Sequence, residues 1–339
     1  MRNLLILDKK EYINENDKYI KIMNKYIKGN NDIIYTEYED ESIRHIRNIK
    51  YIGSVLQHIL YWKKSYNYAK KILDSYYDTI YCINPIVGIF LGLYNKRSRI
   101  ILSGFLFEPK RSQIYYKIRK IITKKSLNGI NTVIVYSSKE VAYYQKIFRD
   151  TKFVFIKYGI DFNYQEKYLK QKLPNKYLFS GGGSNRDYKT IIEAFKKLDK
   201  KMGIKMVIAT QPWQLDGLDI SEVTVLEDVV LETFGDVLKR AEVLVLSLKD
   251  MDISAGHMVM FQAMSLGVLV VVNDIPAIRD YVDESHVIFY NSQDSEQLKN
   301  IIYNFIENNI EKKQFIINSK KMYDNELTFE KFLCRILQV

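Results

Sequence analysis

The sequence predicts an α/β protein made of two parallel-sheet domains, and three observations predict it. Residues 241–274 read as strand, polar loop, helix and strand: a buried apolar run over 243–248, a helix opening near Ala255-Gly256-His257, a stop at Gly267, and a second run over 268–272. Parallel strands need a crossover, and its helix covers the sheet, so these runs make a βαβ unit. Residues 177–198 then run a strand into three consecutive glycines and on into a helix with Ile191, Ile192, Phe195 and Leu198 on one face. Finally, 339 residues are long for a single core, which makes two domains of ordinary size the expectation.

Taken in order, residues 4–7 form a first strand that ends at Asp8. Residues 17–27 have helical spacing through Ile20, Met23 and Ile27, and 32–35 form the next strand. The acidic stretch 37–41 is a solvated loop. A long helix with aromatic content covers 52–73, with Gly53 and Ser54 near its beginning. A strand over 79–83 is broken by Asn84-Pro85, since a residue before proline is biased away from helix, and Asn84 reads as a turn former. Residues 99–103 give a strand and 103–108 the loop after it. Ile114, Ile118, Ile121 and Ile122 then mark one face of a helix, with Lys117, Lys120 and Lys124 on others. With Tyr115 and Tyr116, that helix suits either a peripheral contact with an anionic membrane or a core-facing helix with a charged back. A strand over 132–136 leads into a helix capped by Ser137 or Ser138. The last strand of this half is 153–156, and the Lys- and Gln-rich stretch 164–174 reads as a linker. Strands over 206–209, 223–226 and 287–289 complete the second half, before helices that run to Val339.

Composition narrows the class. A content of 47% hydrophobic and 27% charged residues is that of a folded, soluble chain. No apolar run approaches the length of a membrane span and the start turns polar at Asp8, so neither signal peptide nor anchor is expected. Cys82 and Cys334 stand far apart without metal-ligand spacing, and His45, His58, His257 and His286 form no metal pattern, which suits a reducing cytoplasm. The net charge of +11 is unevenly spread: residues 1–165 hold 29 Lys and Arg against 15 Asp and Glu, the remainder 22 against 25. The basic surplus belongs to the first half and points to an anionic partner there: a membrane surface, a phosphorylated lipid acceptor or nucleic acid.

Two stretches carry chemistry. Gly181-Gly182-Gly183, continued by Ser184 and Asn185, allows the backbone to curl around a phosphate, with Arg186 and Lys189 supplying charge. The spacing is neither a Walker loop nor a dinucleotide fingerprint. At the Gly256 helix start the first N–H groups lack intrahelical partners and carry partial positive charge, so a phosphate is welcome there too. Gln262 lies eight residues, about two turns, after Ser254, so both could face one ligand. Trp213 suits either base stacking or ordinary packing.

Ser254-Ala255-Gly256-His257, followed by Gln262-Ala263-Met264 and Gly267, resembles the nucleotide-sugar loop and helix of GT-B glycosyltransferases, especially family 4. The Ser180-Gly181-Gly182-Gly183-Ser184-Asn185-Arg186-Asp187 turn resembles the loop in which such enzymes neutralise a leaving diphosphate. Lys157-Tyr158-Gly159-Ile160-Asp161 resembles the turn that closes their first domain. Where the family usually carries a Glu at each end of the eight-residue step, this chain has Ser254 and Gln262, so the first carboxylate's contact to the sugar is missing.

The resemblance implies two Rossmann-like domains facing each other across a cleft. An acceptor-binding domain spans 1–163, a nucleotide-sugar-binding domain 174–320, and a final helix, 321–339, packs back on the first. It implies a metal-independent sugar transfer from a nucleotide diphosphate sugar to a glycan or lipid-linked acceptor, with retention, in surface polysaccharide or glycolipid assembly, and no cofactor. Arg186 and Lys189 would steady the departing diphosphate, while Gly181 to Asn185, Ser254, Ala255, Gly256, His257, Met258 and Gln262 would hold the donor. Glu108 would orient an acceptor hydroxyl, with Gly53, Ser54, Ser103 and Gly104 in loops beside acceptor or phosphate. Asp250-Met251-Asp252 matches a metal signature of the other glycosyltransferase fold and is set aside on the βαβ layout. The competing readings are a nucleotide-sugar 2-epimerase, which would line its cleft with carboxylates, and a basic nucleic-acid-binding protein, which no motif supports.

Overall fold

The structure, a computed structural model, describes residues 1–9, 15–37, 53–108, 113–162, 172–227, 231–307 and 309–339. Most of the acidic loop and most of the linker expected from the sequence fall outside these residues. The chain divides into two compact units, Met1–Tyr158 with Phe329–Val339, and Gly159–Thr328.

The first unit alternates strand and helix: β1 (Arg2–Asp8), α1 (Asn16–Tyr26), β2 (Asn30–Thr36), α2 (Gly53–Asp74), β3 (Thr79–Cys82), α3 (Pro85–Tyr94), β4 (Arg99–Ser103), α4 (Gln113–Leu127), β5 (Thr132–Val135), α5 (Ser138–Ile147) and β6 (Phe153–Phe155). Its six strands lie in the order β2-β1-β3-β4-β5-β6, all parallel. Leu4, Leu5, Ile6 and Leu7 of β1 are fully buried, as continuous apolar runs are in a sheet covered on both faces. Asn84 makes a helix start rather than a loop: its side chain accepts a bond from the Val87 amide at 3.2 Å, and Pro85 follows as the first helical residue. Proline loses nothing at that position, where its N–H would lack a helical partner anyway. The helix α3, for which the sequence reading made no assignment beyond the break at Asn84-Pro85, starts from that pair. Gly92 lets α3 approach α4 closely, since a Cβ there would lie 2.3 Å from the Ser126 carbonyl oxygen.

The second unit comprises β7 (Tyr177–Gly181), α6 (Tyr188–Lys196), β8 (Lys205–Ala209), β9 (Val223–Leu226), α7 (Leu231–Lys239), β10 (Val243–Leu246), α8 (His257–Leu266), β11 (Val270–Asn273), α9 (Pro276–Arg279), β12 (Ile288–Tyr290), α10 (Ser295–Glu307) and α11 (Asn309–Met322). Its parallel order is β12-β11-β10-β7-β8-β9. Leu178, Met206, Val243, Val245 and Val271 of the sheet pack with Ile191, Phe195, Leu298 and Ile302 of the helices in one core. The chain builds outward from β7 to β9, then returns to the other side of β7 at β10. The strand order therefore reverses between β7 and β10, and in open α/β sheets ligands bind outside the carboxyl ends of the strands at such a point.

A π-helical turn, Tyr323–Leu327, ends this unit beside its beginning: the Ile160 amide donates to the Leu327 carbonyl at 2.9 Å and the Tyr323 hydroxyl to the Ile160 carbonyl at 2.9 Å. The final helix, α12 (Phe329–Ile336), belongs to the first unit, with Phe329 edge-on to Tyr19 at 5.0 Å and Phe332 against Tyr158 at 5.2 Å.

Candidate active site

The loops at the reversal point of the second sheet are the glycine turn after β7 and residues 247–256 after β10. Backbone bonds stitch them together. The Asp187 amide donates to the Ser247 carbonyl and the Lys249 amide to the Asn185 carbonyl, both at 2.9 Å, which sets Arg186 opposite Leu248. The Asn185 side-chain amide adds a bond to the Ile253 carbonyl at 3.4 Å. Stretches some seventy residues apart thus form one rim.

The polarity of the glycine turn is one-sided. Its carbonyls are taken up by the protein: Gly181 by Arg186 Nε (2.9 Å), Gly182 by the Tyr188 (2.6 Å) and Thr210 (3.1 Å) hydroxyls, Gly183 by Gln214 Nε2 (2.7 Å), and Ser184 by Arg186 Nη1 (2.7 Å). The Asn185 carbonyl is held by Lys249, as above. Among the described residues no hydrogen bond uses the amides of Gly183, Ser184, Asn185 or Arg186. Gly182 at φ +106° and Asn185 at φ +52° supply the left-handed conformations that curl the turn. Asn tolerates that region, because its short polar side chain can bond locally. Successive amides freed in this way make an anion-binding concavity.

Helix α8 opens beside it. Gly256, at φ +87°, is its cap and offers no side-chain partner to the first turn. Within the described residues the amides of His257, Met258 and Val259 have no acceptor, while Met260 begins the helical pattern by donating to Gly256. A Cβ on Gly256 would lie 2.8 Å from Leu248 Cδ1 and 3.5 Å from Arg186 Nη1. The guanidinium therefore sits between the turn and the helix start. Arg186 is 7% exposed, and burial lowers its pKa without discharging a group that stays charged near neutrality. Among the described residues no carboxylate pairs with it, and its hydrogen bonds run from Nε and Nη1 to backbone carbonyls. A buried charge held only by carbonyls is incompletely compensated, which favours binding of an anion.

The other expected residues divide clearly. Met258, 40% exposed, and Gln262, half-buried, lie four residues apart on the outer face of α8, opposite the buried Met260, Phe261, Ala263 and Met264. The Gln262 side chain has no hydrogen-bond partner among the described residues. Ser254 and Ala255 are half-buried in the loop leading to Gly256. His257 is different: its ring is buried between Phe261 and Tyr281, and Nε2 lies 2.9 Å from the Ala277 carbonyl. Burial lowers its pKa to about 4, so the ring is a neutral anchor for α8 and only its amide faces the rim. Lys189 departs from expectation as well. It is 70% exposed and pairs with Glu193 at 3.8 Å, since the start of α6 turns Tyr188 and Thr190 inward and Lys189 outward. Trp213 is 65% exposed, in the turn whose Gln214 holds Gly183.

In the first unit, Gly53 and Ser54 are the first residues of α2, not a loop. Ser103 is buried, its hydroxyl 3.2 Å from that of Tyr136, and Gly104 (φ +77°) lies directly beneath that tyrosine. Glu108 is half-buried at the end of a loop whose Leu106 and Glu108 carbonyls are both held by Arg119. Among the described residues no group of three or more His, Cys, Asp or Glu could hold a metal ion. Tyr188, Thr210 and Gln214, which set the polarity of the turn, escaped sequence reasoning. They act on backbone carbonyls from separate elements, and no spacing rule connects them.

Residues 174–308 match the family described as Glycosyl transferases group 1. The match lies wholly within the second unit. Both loops of the rim fall within it. The whole chain has the GT-B fold. It is similar to sucrose-phosphate synthase from Thermosynechococcus elongatus, with a TM-score of 0.64 at 13% identity, covering 100% of this chain and 98% of that one. It is also similar to Anabaena HepE in complex with UDP and glucose, with a TM-score of 0.62 at 12% identity, covering 99% and 97%. TarM of S. aureus, in a structure holding UDP and alpha-GlcNAc-glycerol, gives 0.59 at 15% identity over 82% of this chain and 59% of that one. No protein of curated function matches significantly. No helix among the described residues is long and apolar enough to cross a membrane.

Proposed function

We propose that the enzyme transfers a sugar from a nucleotide diphosphate sugar to a glycan or lipid-linked acceptor, with retention of configuration, in surface polysaccharide or glycolipid assembly at the cytoplasmic face of a membrane. The observation that carries the donor reading is Arg186, a buried guanidinium that no carboxylate meets among the described residues, set between four amides open within those residues and the uncapped start of α8. A diphosphate supplies the negative charge that this constellation lacks. As the sugar–phosphate bond breaks, charge builds on the departing diphosphate, and donors already aimed at it stabilise the transition state without reorganising. Gln262 both accepts and donates, which suits ribose hydroxyls. The UDP named in the HepE and TarM structures supports a nucleotide as the ligand.

Thermal denaturation of the full chain against a panel of nucleoside diphosphates and their sugars tests the reading. A ligand that binds only the folded state raises the melting temperature, by about 2.7 kcal/mol of stability at a hundredfold excess over Kd. At least one nucleotide class is expected to do so. If none does, the donor reading fails.

A further inference from the structure

The helical layer α2, α3 and α4 of the first unit has the composition of a membrane–water interface. Helix α4 faces its own core through Thr123, Ser126 and Leu127, which are buried. At 3.6 residues per turn, Ile114, Ile118 and Ile121 lie on the opposite side, and they are 75%, 53% and 70% exposed. The isoleucine stripe thus points away from the core, against the core-facing alternative left by the sequence. Single exposed apolar residues are ordinary. Three isoleucines on successive turns, with Tyr115 (49% exposed) beside them, are a continuous apolar ridge. Arg119 holds the Leu106 carbonyl at 2.8 Å, which keeps the exposed Leu106 close to the same helix.

The ridge belongs to a wider face. Helix α3, packed against both α2 and α4, has no charged residue in PIVGIFLGLY. An aromatic ladder joins it to α2: Trp62 and Tyr66 stand edge-on to Phe90 at 5.6 and 5.8 Å, and Tyr66 reaches Tyr94 at 5.9 Å. Ile59 and Tyr94 are more than half exposed. Around this apolar and aromatic surface, α2 carries four lysines and α4 four lysines and an arginine, while the three helices hold one acid, Asp74. Charge selects the occupant. A second copy would set one strongly cationic face against another, and a nucleic acid would match the lysines but not the isoleucines. A bilayer with anionic headgroups satisfies both, cations at the phosphates and apolar side chains in the acyl boundary.

We infer that this three-helix layer docks the first unit on an anionic lipid bilayer, with α4 as the inserted element, independently of what the second unit binds. The test is co-sedimentation of the full chain with vesicles of phosphatidylcholine alone or mixed with phosphatidylglycerol. Binding is expected only to the anionic vesicles. Lys117→Gln with Lys124→Gln should weaken it about thirtyfold, since each lysine near such a surface is worth about 1 kcal/mol. Ile114→Ser with Ile121→Ser should abolish pelleting while melting within about 2 °C of the parent, as exposed substitutions do. Equal or negligible pelleting with both lipids overturns the inference. So does a concentration-dependent dimer that forms without vesicles and disappears in the isoleucine variant. Nucleotide binding by the same variants, measured separately, should be unchanged, so failure here and failure of the donor reading are distinguishable.

Discussion

The two sheets are alike in strand count and direction, yet their carboxyl edges are finished in opposite ways. In the first unit, among the described residues, side chains bond to one another along that edge. Asn84 caps α3 and donates to the Thr36 hydroxyl at 2.8 Å, Thr36 donates to the Leu7 carbonyl at 3.0 Å, Ser103 bonds with Tyr136, and the Tyr136 amide donates to Glu140 at 2.9 Å. In the second unit the carbonyls are closed and the amides left open, with one buried cation at the reversal point. The comparison teaches that a parallel sheet edge is not a binding site by topology alone. The proposed donor site lies where the chain withholds partners from its donors.

Replacement of Arg186 should break this contrast most severely. Arg186→Met should lower sugar-transfer turnover by about 10²–10³, the usual cost of removing a preorganised donor from a developing anion. Ser103→Ala at the corresponding edge of the first unit should cost about 1 kcal/mol of stability, the worth of one hydrogen bond, and leave nucleotide binding intact. Steady-state kinetics with urea denaturation separates the two. If Ser103→Ala lost nucleotide affinity as Arg186→Met does, the two edges would not differ as described.

A smaller effect distinguishes the amide of His257 from its ring. The folded ring titrates near pH 4, while in the unfolded chain it takes a proton near pH 6.5. Above pH 6.5 neither state is protonated and the contribution is complete. As pH falls toward 4 the unfolded chain gains a proton that the folded chain refuses, so stability is lost, by about 2 kcal/mol between pH 7 and pH 5. His257→Gln should remove that part of the acid sensitivity. Denaturant midpoints at the two pH values check it, and an unchanged slope would place the ring in water. Smallest of all is Lys189→Ala, which removes only an exposed pair with Glu193 and should cost about 0.5 kcal/mol or less and change turnover under twofold.

Much of the second unit was legible because its tight turns demand particular residue types. A strand that ends in Gly181-Gly182-Gly183, and a helix that opens on Gly256, advertise close approach by their residue types. What reached the wrong side was charge on a helix start: Lys189 and Arg186 look equivalent in sequence, but α6 turns one outward and the loop pairing at Leu248 turns the other in. The first unit was less legible for a related reason. Recognition by side-chain hydroxyls needs no special backbone, so Tyr136 and Thr36 carry no signature, and Asn84-Pro85 reads equally as a strand stop or a helix cap until β3 and α3 are seen end to end. The isoleucine stripe of α4 showed its period in sequence but not its direction, which depends on which residues its neighbours bury.

The most direct test of the central claim is a backbone amide spectrum of the ¹⁵N-labelled full chain during titration with uridine, guanosine, adenosine and thymidine diphosphates. The account predicts that at least one of them shifts the amides of Gly183, Ser184, Asn185 and Arg186 together with those of His257, Met258 and Val259, and that Arg186→Met weakens the response. A nucleotide that binds and leaves all seven amides unmoved would contradict it.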